Sequence, residues 1–549
     1  MSLARNNDYT IPAETIRVAH LVFPNGNMFL QMRDELGIIY EDEAFEGLFS
    51  QKGQPGIAPW RLMLVTIMQY MEGLTDREAA AAVGSRIDWK YALSLELTAV
   101  GIDNSVLSEF RTRLIAGGAE QILLGLLLER LQSCGLLTAR GRQRTDSTHV
   151  LAAIRVLDRL ERVGETLRAA LNSIALVAPD WLRSLADSQW FERYSSRIEN
   201  YHLPKGEAKR LVLAGQIGDD GFHLLTSLQA TSAPRWLRQI AAVQILRQVL
   251  IQQYYAPCPE QPARWRAITD VPPSSQLIHS PYDSEARYST KHNRHWVGYK
   301  VHLTETCDED TPHIITHVET TAATVPDYAV LETIHKGLEQ QHMLPAQHLL
   351  DGGYVDAQHL VNSQATYAIQ LISPVRINAS WQAQAGQGFA VPDFSIDWQQ
   401  QTATCPQGQT TTRWKPARNR AGEPIIHVGF DQKICFACPV RKLCTKSKTQ
   451  PRELTLFPIA QHDALRDARQ FQLTPLFQAQ YAARSGIEAT IAQALWVHDL
   501  RHARYIGLAK TRLQHILTAL ALNIARTVAW LDGRPRAQTR TSHFAALAA

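Results

Sequence analysis

Apolar residues recur with helical spacing through most of the first 138 residues. Residues 59–70 are mostly apolar and begin with a proline, which suits the first turn of a helix. Thr75 and Glu78 have the spacing of a capping box ahead of an alanine-rich run, and a buried helix is predicted over 122–131. The pattern therefore predicts a helical N-terminal domain over 1–138. Its short helices and basic face fit a helix-turn-helix DNA-binding domain, although a plain helical bundle explains the periodicity slightly better.

Helical periodicity returns after residue 150 and continues to about residue 255. Leu157, Leu160 and Val163 follow one another at three-residue steps, a spacing that places them on one face of a helix. Six prolines then fall within 257–281, and such a stretch predicts a linker or an extended loop. We therefore predict a helical insertion over 150–255.

Strand-like alternation of apolar and polar residues is clearest over 296–304. A second strand is predicted over 314–320, and the acidic, proline-containing turn between the two predicts a hairpin. A helix over 330–338 and an apolar strand ending in Asp351 follow, and a last strand is predicted over 367–375. A hairpin, a crossover helix and further strands together predict a mixed α/β sheet.

Two acids occupy positions where a sheet can present ligands. Asp351 ends an apolar run and is followed by two glycines, and ligands of open α/β sheets gather outside the carboxyl ends of strands. Asp146 lies among threonine and valine residues in TDSTHV, a composition typical of strands. Each acid also has a simpler explanation. Asp351 would merely cap an Asp-Gly turn, and Asp146 would be a surface residue of a polar loop.

Four of the seven cysteines cluster late in the chain, at Cys405, Cys435, Cys438 and Cys444. Four thiolates suit tetrahedral zinc, and a C-x2-C pair supplies two of them with suitable geometry. A redox pair is the competing interpretation, but thioredoxin-like motifs lack the two outlying cysteines. We predict a small insertion over 395–450 that holds one structural zinc ion. The other three cysteines are scattered, which fits a reduced compartment without a disulfide framework.

Composition and charge limit where the protein acts. The net charge is only +4, from 56 basic and 52 acidic residues, so any surface for nucleic acid must be local. No apolar run reaches the length of a membrane span, and the N-terminus lacks the layout of a signal peptide. We therefore expect a cytoplasmic protein without membrane contact.

A third acid belongs to a helical segment near the C-terminus. Tyr481, Arg484 and Glu488 follow at steps of three and four residues, so on one helix they share a face. A solvated helix with an Arg484–Glu488 ion pair is the simpler explanation. An apolar stripe over 513–528 predicts a core helix. Between the two lies a basic stretch with Arg501, Arg504, Lys510 and Arg512.

Taken together, these motifs resemble the DDE transposases of bacterial insertion sequences. They are Asp146 in TDSTHV, Asp351 in LLDGGYVDA and the Tyr-x2-Arg-x3-Glu signature that ends at Glu488. The resemblance extends through GYKVHLTET and the cysteine cluster to GLAKTRLQHILTALALNI, and so covers almost the whole chain. The chain departs from the family at Leu495 and Trp496, where a basic residue is usual about two turns after the glutamate.

The resemblance implies an RNase H-like catalytic domain over 139–535, containing both insertions and followed by a basic tail over 536–549. It implies that Asp146, Asp351 and Glu488 are catalytic and hold two divalent ions, Mg²⁺ or Mn²⁺. Hard oxygen ligands suit such ions, and two ions can stabilise both the attacking and the leaving oxygen of a phosphodiester. The residues expected to contact DNA are Tyr481, Arg484, Arg501, Arg504 and Lys510.

The expected function is metal-dependent cleavage at insertion-sequence ends and strand transfer into target DNA. The expected partners are the terminal repeats and the target DNA, bound by a homodimer or a larger assembly at the bacterial nucleoid. Two alternatives are a metal-dependent nuclease without strand transfer and an inactive, zinc-containing DNA-binding protein derived from a transposase. Metal-dependent nicking separates the inactive protein from the other two, and a strand-transfer assay separates those two.

Overall fold

The computed structural model describes residues 8–50, 52–53, 56–138, 140–291, 293–378, 380–420 and 422–534, together with Leu3 and Leu547. The basic tail predicted over 536–549 lies outside the described residues except for Leu547. No helix in the described part of the chain is both long and apolar enough to cross a membrane.

The N-terminal part is helical, as its periodicity predicts. Its helices are α1 Ala13–Val22, α2 Met28–Leu36, α3 Pro59–Glu72, α4 Asp76–Ser85, α5 Ile87–Ala92, α6 Asn104–Ala116 and α7 Glu120–Ser133. The predicted capping box at the start of α4 is confirmed. The Glu78 backbone N–H donates to Thr75 Oγ1 over 3.3 Å, and the Thr75 N–H donates to Glu78 Oε2 over 2.8 Å. Most residues of α3 are buried, so this helix lies at the centre of the N-terminal part.

The strand predicted around Asp146 is present as β1 (Arg140–Leu151). The helical insertion that follows has a hydrophobic core of its own. Its elements are α8 Arg159–Val177, α9 Pro179–Leu185, α10 Ser188–Tyr194, α11 Glu207–Ser227 and α12 Ala241–Gln253, with the short strands β2 Tyr254–Tyr255 and β3 Arg264–Trp265. Asp158 caps the first of these helices by accepting the Glu161 N–H over 2.7 Å.

A mixed sheet of six strands follows the insertion and includes β1. The other strands are β4 Arg287–Lys291, β5 Arg294–Thr306, β6 Ile315–Ala322, β7 Pro345–Leu350 and β8 Gln370–Ile372, with the helices α13 Leu331–Gln340 and α14 Ala357–Tyr367 between them. β5 is antiparallel to β1 on one side and to β4 and β6 on the other, whereas β7 is parallel to both β1 and β8. The predicted hairpin and the mixed α/β sheet are confirmed. The polar positions His302 and Thr304 are buried like their apolar neighbours, so β5 is covered on both faces.

The strand predicted over 367–375 is wrong for its first residues. α14 continues to Tyr367, and Ala368 then turns the chain with a left-handed φ of 51°. The strand that follows, β8, has only three residues. The apolar run is therefore shared between a helix end and a short strand, which periodicity cannot separate over so few residues.

The cysteine-containing segment packs around a small core that includes Phe394, Val428 and Phe430. Its elements are α15 Trp381–Ala385, β9 Ser395–Asp397, β10 Thr402–Thr404, β11 Arg413–Arg418, β12 Pro424–Gly429, α16 Gln432–Ala437, α17 Arg441–Cys444 and β13 Glu453–Leu456. β11, β12 and β13 form an antiparallel sheet separate from the six-stranded one.

Four helices complete the described chain. They are α18 Ile459–Gln472, α19 Pro475–Ala482, α20 Gly486–Val497 and α21 Leu508–Leu531. The apolar stripe over 513–528 is buried in α21, so the predicted core helix is confirmed. Because α21 contacts both α3 and β6, the N-terminal helices and the six-stranded sheet share one continuous core.

Candidate active site

Asp146 and Asp351 are neighbours because their strands run parallel. Thr145 of β1 pairs with Leu350 of β7, so the next residue on each chain segment is one of the two acids. β7 ends at Leu350, which leaves the Asp351 side chain 53% exposed, whereas the Asp146 side chain is 16% exposed. Burial raises the pKa of Asp146, although the nearby Arg484 charge opposes that effect.

The segment after Asp351 is closely packed. A Cβ on Gly352 would lie 2.8 Å from the Pro374 carbonyl oxygen, so the turn away from β7 needs glycine there. Tyr354 is fully buried, and its hydroxyl lies 2.7 Å from Nδ1 of His302 on β5. The carboxyl end of β7 is therefore held against its neighbours, and Asp351 is presented from a fixed turn.

One guanidinium contacts all three predicted acids. Arg484 Nη2 lies 2.6 Å from Asp146 Oδ2 and 3.9 Å from Asp351 Oδ2. Arg484 Nη1 lies 3.1 Å from Glu488 Oε1. Since the same nitrogen contacts both aspartates, their two oxygens cannot be further apart than the sum of those distances. The structure thus brings Asp146, Asp351 and Glu488 together around one cation.

The single helix predicted over 481–488 is wrong, because a 3-10 turn at Ala483–Ser485 separates α19 from α20. Arg144 of β1 accounts for the break. Its Nη1 donates to the Ala483 carbonyl over 2.5 Å. A Cβ on Gly486 would overlap the same guanidinium, so a larger residue there would displace Arg144 from this position. Arg484 lies in this turn, and the turn directs it towards the acids.

A buried ion network ties β1 to α20. Glu305 of β5 is fully buried and lies 2.7 Å from Arg144 and 2.9 Å from Arg526 of α21. Thr490 Oγ1, two residues after Glu488, donates to Glu305 over 2.6 Å. The motifs did not identify this network. A signal was nevertheless present, since Glu305 continues the apolar register of β5 and an acid in that register must be paired.

The four clustered cysteines line one pocket of the small unit. All four are free thiols with intermediate exposure. Burial raises the pKa of Cys444 to about 11, and the other three cysteines add to the effect. The fold therefore gathers Cys405 with the three cysteines that follow it thirty or more residues later.

Two stretches of the chain match known protein families. Residues 23–113 match the family described as "Transposase domain (DUF772)", and residues 404–528 match the one described as "Transposase DDE domain". These two matches indicate an insertion-sequence DDE transposase. The second match contains the cysteine cluster and Glu488, whereas Asp146 and Asp351 lie outside both matched ranges. No curated protein sequence matches the chain. The family predicted from the motifs is confirmed, and transposases of this kind act on DNA.

Tyr481 and Trp496 of this transposase differ in their surroundings. Tyr481 is half-buried and stacks on Phe477, with ring centroids 5.3 Å apart. Burial raises its pKa. Leu495 packs against the core, but the Trp496 side chain is 88% exposed. The position where the family usually has a basic residue thus presents an aromatic ring to solvent.

The predicted basic residues of the transposase are spread over two places. Arg501 Nη1 donates to the His149 carbonyl over 2.5 Å, so it lies beside β1 just beyond Asp146. Arg504 lies over the ring of Tyr70 in α3, 4.7 Å from its centroid, and Lys510 is exposed at the start of α21. Arg501 is therefore near the acids, whereas Arg504 lies at the junction with the N-terminal helices.

The acids of this transposase suit a divalent ion in their chemistry. Their carboxylate oxygens are the hard ligands that Mg²⁺ and Mn²⁺ prefer. The guanidinium of Arg484 lies among them, however, and no group of three or more His, Cys, Asp or Glu in the described ranges is arranged to hold a metal ion. This applies to the four cysteines as well. The acid set therefore suits a divalent ion in the chemistry of its donors, while its three carboxylates are arranged around Arg484.

Proposed function

We propose that this transposase cuts DNA at the ends of its insertion sequence and joins the freed 3′ ends to target DNA. The observation that carries the proposal is the contact of the Arg484 guanidinium with Asp146, Asp351 and Glu488. Three carboxylates from distant parts of the chain meet where strand β7 ends, the kind of place where α/β sheets bind ligands. Such an acid cluster is what a two-ion phosphodiester reaction requires.

The topology of the sheet supports an RNase H-like catalytic domain over 139–535. The strands run in the order β6, β5, β1, β7 and β8, antiparallel as far as β1 and parallel from there. Asp146 lies on the central strand β1, and Asp351 follows its parallel neighbour. A mixed sheet with the acids at its middle is consistent with the fold that the resemblance implies.

Mg²⁺ or Mn²⁺ ions are the proposed catalytic cofactors, held by the carboxylates of Asp146, Asp351 and Glu488. Bound there, they would favour ionisation of the attacking hydroxyl and neutralise charge on the leaving oxygen. The protein contributes the positions of the three carboxylates. Arg484 contacts all three acids, and a guanidinium also binds a phosphate through two parallel hydrogen bonds. We propose that Arg484 exchanges its carboxylate partners for a phosphate when DNA enters.

A structural zinc ion is the proposed occupant of the pocket lined by Cys405, Cys435, Cys438 and Cys444. Four thiols in one pocket of a unit with a very small core support this proposal, because metal binding stabilises folds that cannot bury enough apolar surface. The role is structural, since the pocket belongs to a unit separate from the acids.

DNA is the proposed partner of the N-terminal helices and of Tyr481, Arg501, Arg504 and Lys510. Arg504 over Tyr70 joins the basic stretch to α3, which supports a DNA path shared by the catalytic and N-terminal parts. We propose that a homodimer or larger assembly forms when the two ends of the element are brought together.

The test is a nicking and strand-transfer assay on DNA that carries the ends of the element. Asp146→Asn, Asp351→Asn and Glu488→Gln should each abolish Mg²⁺-dependent nicking and retain DNA binding. Asp467→Asn is the matched control, because Asp467 is an exposed acid of α18 paired only with the neighbouring Arg466 among the described residues. Loss of nicking in the control and the site variants alike would contradict the assignment.

The same assay decides between the alternatives. Nicking without joining would favour the metal-dependent nuclease. DNA binding without any nicking, in protein loaded with Mg²⁺ or Mn²⁺, would favour an inactive DNA-binding protein. The convergence of three carboxylates favours an enzyme, because carboxylates repel DNA and serve a binding protein poorly.

A further inference from the structure

A two-stranded hairpin extends beyond the sheet on the side of β5. β5 pairs with β1 from Gly298 onward and with β6 from Tyr299 onward, whereas its first residues pair with β4. Lys291 pairs with Arg294 at the end of this hairpin. The end of β4 and the start of β5 therefore project past both β1 and β6.

The end of the hairpin is basic and exposed. Lys291, Arg294 and His295 are all exposed, and Asn293 turns the chain with a φ of 61°. Among the described residues, neither Lys291 nor Arg294 forms a salt bridge, although the chain has almost as many acids as bases. Two cations without acidic partners on a projecting turn are available to an external anion.

The base of the hairpin is fixed to β1. Trp296 is buried, donates from Nε1 to the Tyr299 carbonyl over 3.3 Å and lies with its ring 5.1 Å from that of His149. Gly298 has a φ of 156°, and a Cβ there would overlap the Val150 carbonyl oxygen. This close approach needs glycine, so the base of the hairpin packs directly against the backbone of β1.

The basic end lies within electrostatic range of the β1 segment that carries Asp146. Arg501 contacts the His149 carbonyl, three residues beyond that acid. Burial, followed by the charges of Arg501, Arg294 and Lys291, lowers the pKa of His149 to about 4. Arg501 and the hairpin that carries Lys291 and Arg294 therefore both lie against the end of β1, a few residues beyond Asp146.

We propose that Lys291 and Arg294, with Arg501, bind the sugar–phosphate backbone of the duplex that flanks the cleavage point. This inference rests on the proposed function and extends it to a surface that the family motifs do not include. Three carboxylates repel DNA at the point where a phosphate must approach, and a net charge of +4 on the whole chain does not offset this. Exposed cations near the same end of β1 supply the missing attraction, and a duplex bound at the acids would extend across them.

The test compares DNA binding over a range of salt concentrations, using the full chain and duplex DNA carrying the ends of the element. Each phosphate contact contributes roughly 0.9 to the slope of log affinity against log salt. Lys291→Ala combined with Arg294→Ala should therefore reduce the slope by roughly two units. The melting temperature should not change, since both side chains are exposed. Lys205→Ala combined with Lys209→Ala is the matched control, because both lysines are exposed on the insertion, and its slope should stay that of the wild type.

An unchanged slope in the hairpin variant would overturn the inference, as would an equal loss of slope in the control. Asp146→Asn separates failure of the proposed function from failure of the hairpin inference. If that variant still cuts DNA, the proposed function fails. If it is inactive and binds DNA, while the hairpin variant keeps the wild-type slope, only the hairpin inference fails. Absence of DNA binding by the wild type would overturn both.

Discussion

Glu305 is the residue whose removal should most affect both folding and the position of the acids. Its buried carboxylate lies 2.7 Å from Arg144 and 2.9 Å from Arg526, and it accepts a hydrogen bond from Thr490 over 2.6 Å. Burial raises the pKa of Glu305, but Arg526 and Arg144 outweigh it and lower the pKa overall. The carboxylate is therefore ionised at neutral pH. Glu305→Ala would leave Arg144 and Arg526, both largely buried, without this carboxylate as a partner.

The expected loss of stability follows from this buried ion network. Removing one partner of a buried ion pair costs roughly 3–5 kcal/mol, because the other charge remains buried and unpaired. Here one carboxylate serves two arginines, so we expect Glu305→Ala to lower the free energy of unfolding by about 4 kcal/mol or more. Because Arg144 belongs to β1 and Thr490 to α20, the same change should displace Glu488 from Asp146. Nicking should fall sharply in protein that still binds DNA.

Urea unfolding at pH 7 measures the effect. The control is Glu14→Ala, which removes an exposed ion pair with Arg17 on α1, where both side chains are more than 60% exposed. That change should leave the free energy of unfolding close to that of the wild type, because exposed ion pairs contribute little to stability. The reasoning would be refuted if Glu305→Ala lowered the free energy of unfolding by less than about 1 kcal/mol while the slope of that free energy against urea concentration stayed unchanged.

Three further predictions follow from single contacts. Arg484→Ala should weaken DNA binding across sequences and lower the salt slope by roughly one unit; an unchanged slope with impaired stability would mean that Arg484 serves only the acids. Cys435→Ser should reduce the zinc content from about one ion per chain and lower the melting temperature of the small unit; zinc-free wild-type protein would contradict this. Burial lowers the pKa of both His302 and His335 to about 4. Since the unfolded chain takes up these protons near pH 6.5, stability should be complete above about pH 6.5 and fall by a few kcal/mol towards about pH 4. Urea titrations at stepped pH values should show this fall, and a flat profile would contradict it.

The placement of Asp146 and Asp351 could be predicted from the sequence because each belongs to a strand-like pattern. Alternation and apolar runs identify strands, and an acid at a strand end is exposed at the edge of the sheet. Their adjacency required one more fact, the parallel pairing of β1 with β7. The pairing register depends on contacts between segments about two hundred residues apart, which local patterns do not contain.

The interruption between α19 and α20 could not be predicted from spacing. It depends on Arg144, which is more than three hundred residues away in the chain and donates to the Ala483 carbonyl. Local spacing favoured one continuous helix. The basic hairpin was missed for a related reason, since the pattern over 296–304 begins inside β5 and gives no indication of β4. Its basic character is local in sequence, but its position at the end of β1 is a property of the fold.

The central claim is that Asp146, Asp351 and Glu488 together bind the ions that cut DNA. Localised oxidation tests it directly, because Fe²⁺ bound in a Mg²⁺ site reduces added hydrogen peroxide to hydroxyl radicals, with ascorbate regenerating Fe²⁺, and these radicals cleave the polypeptide beside the ion. In zinc-loaded, DNA-bound transposase, our account predicts backbone cleavage near residues 146, 351 and 488 and its loss in Glu488→Gln. Cleavage confined to other parts of the chain, in protein that still binds DNA, would contradict it.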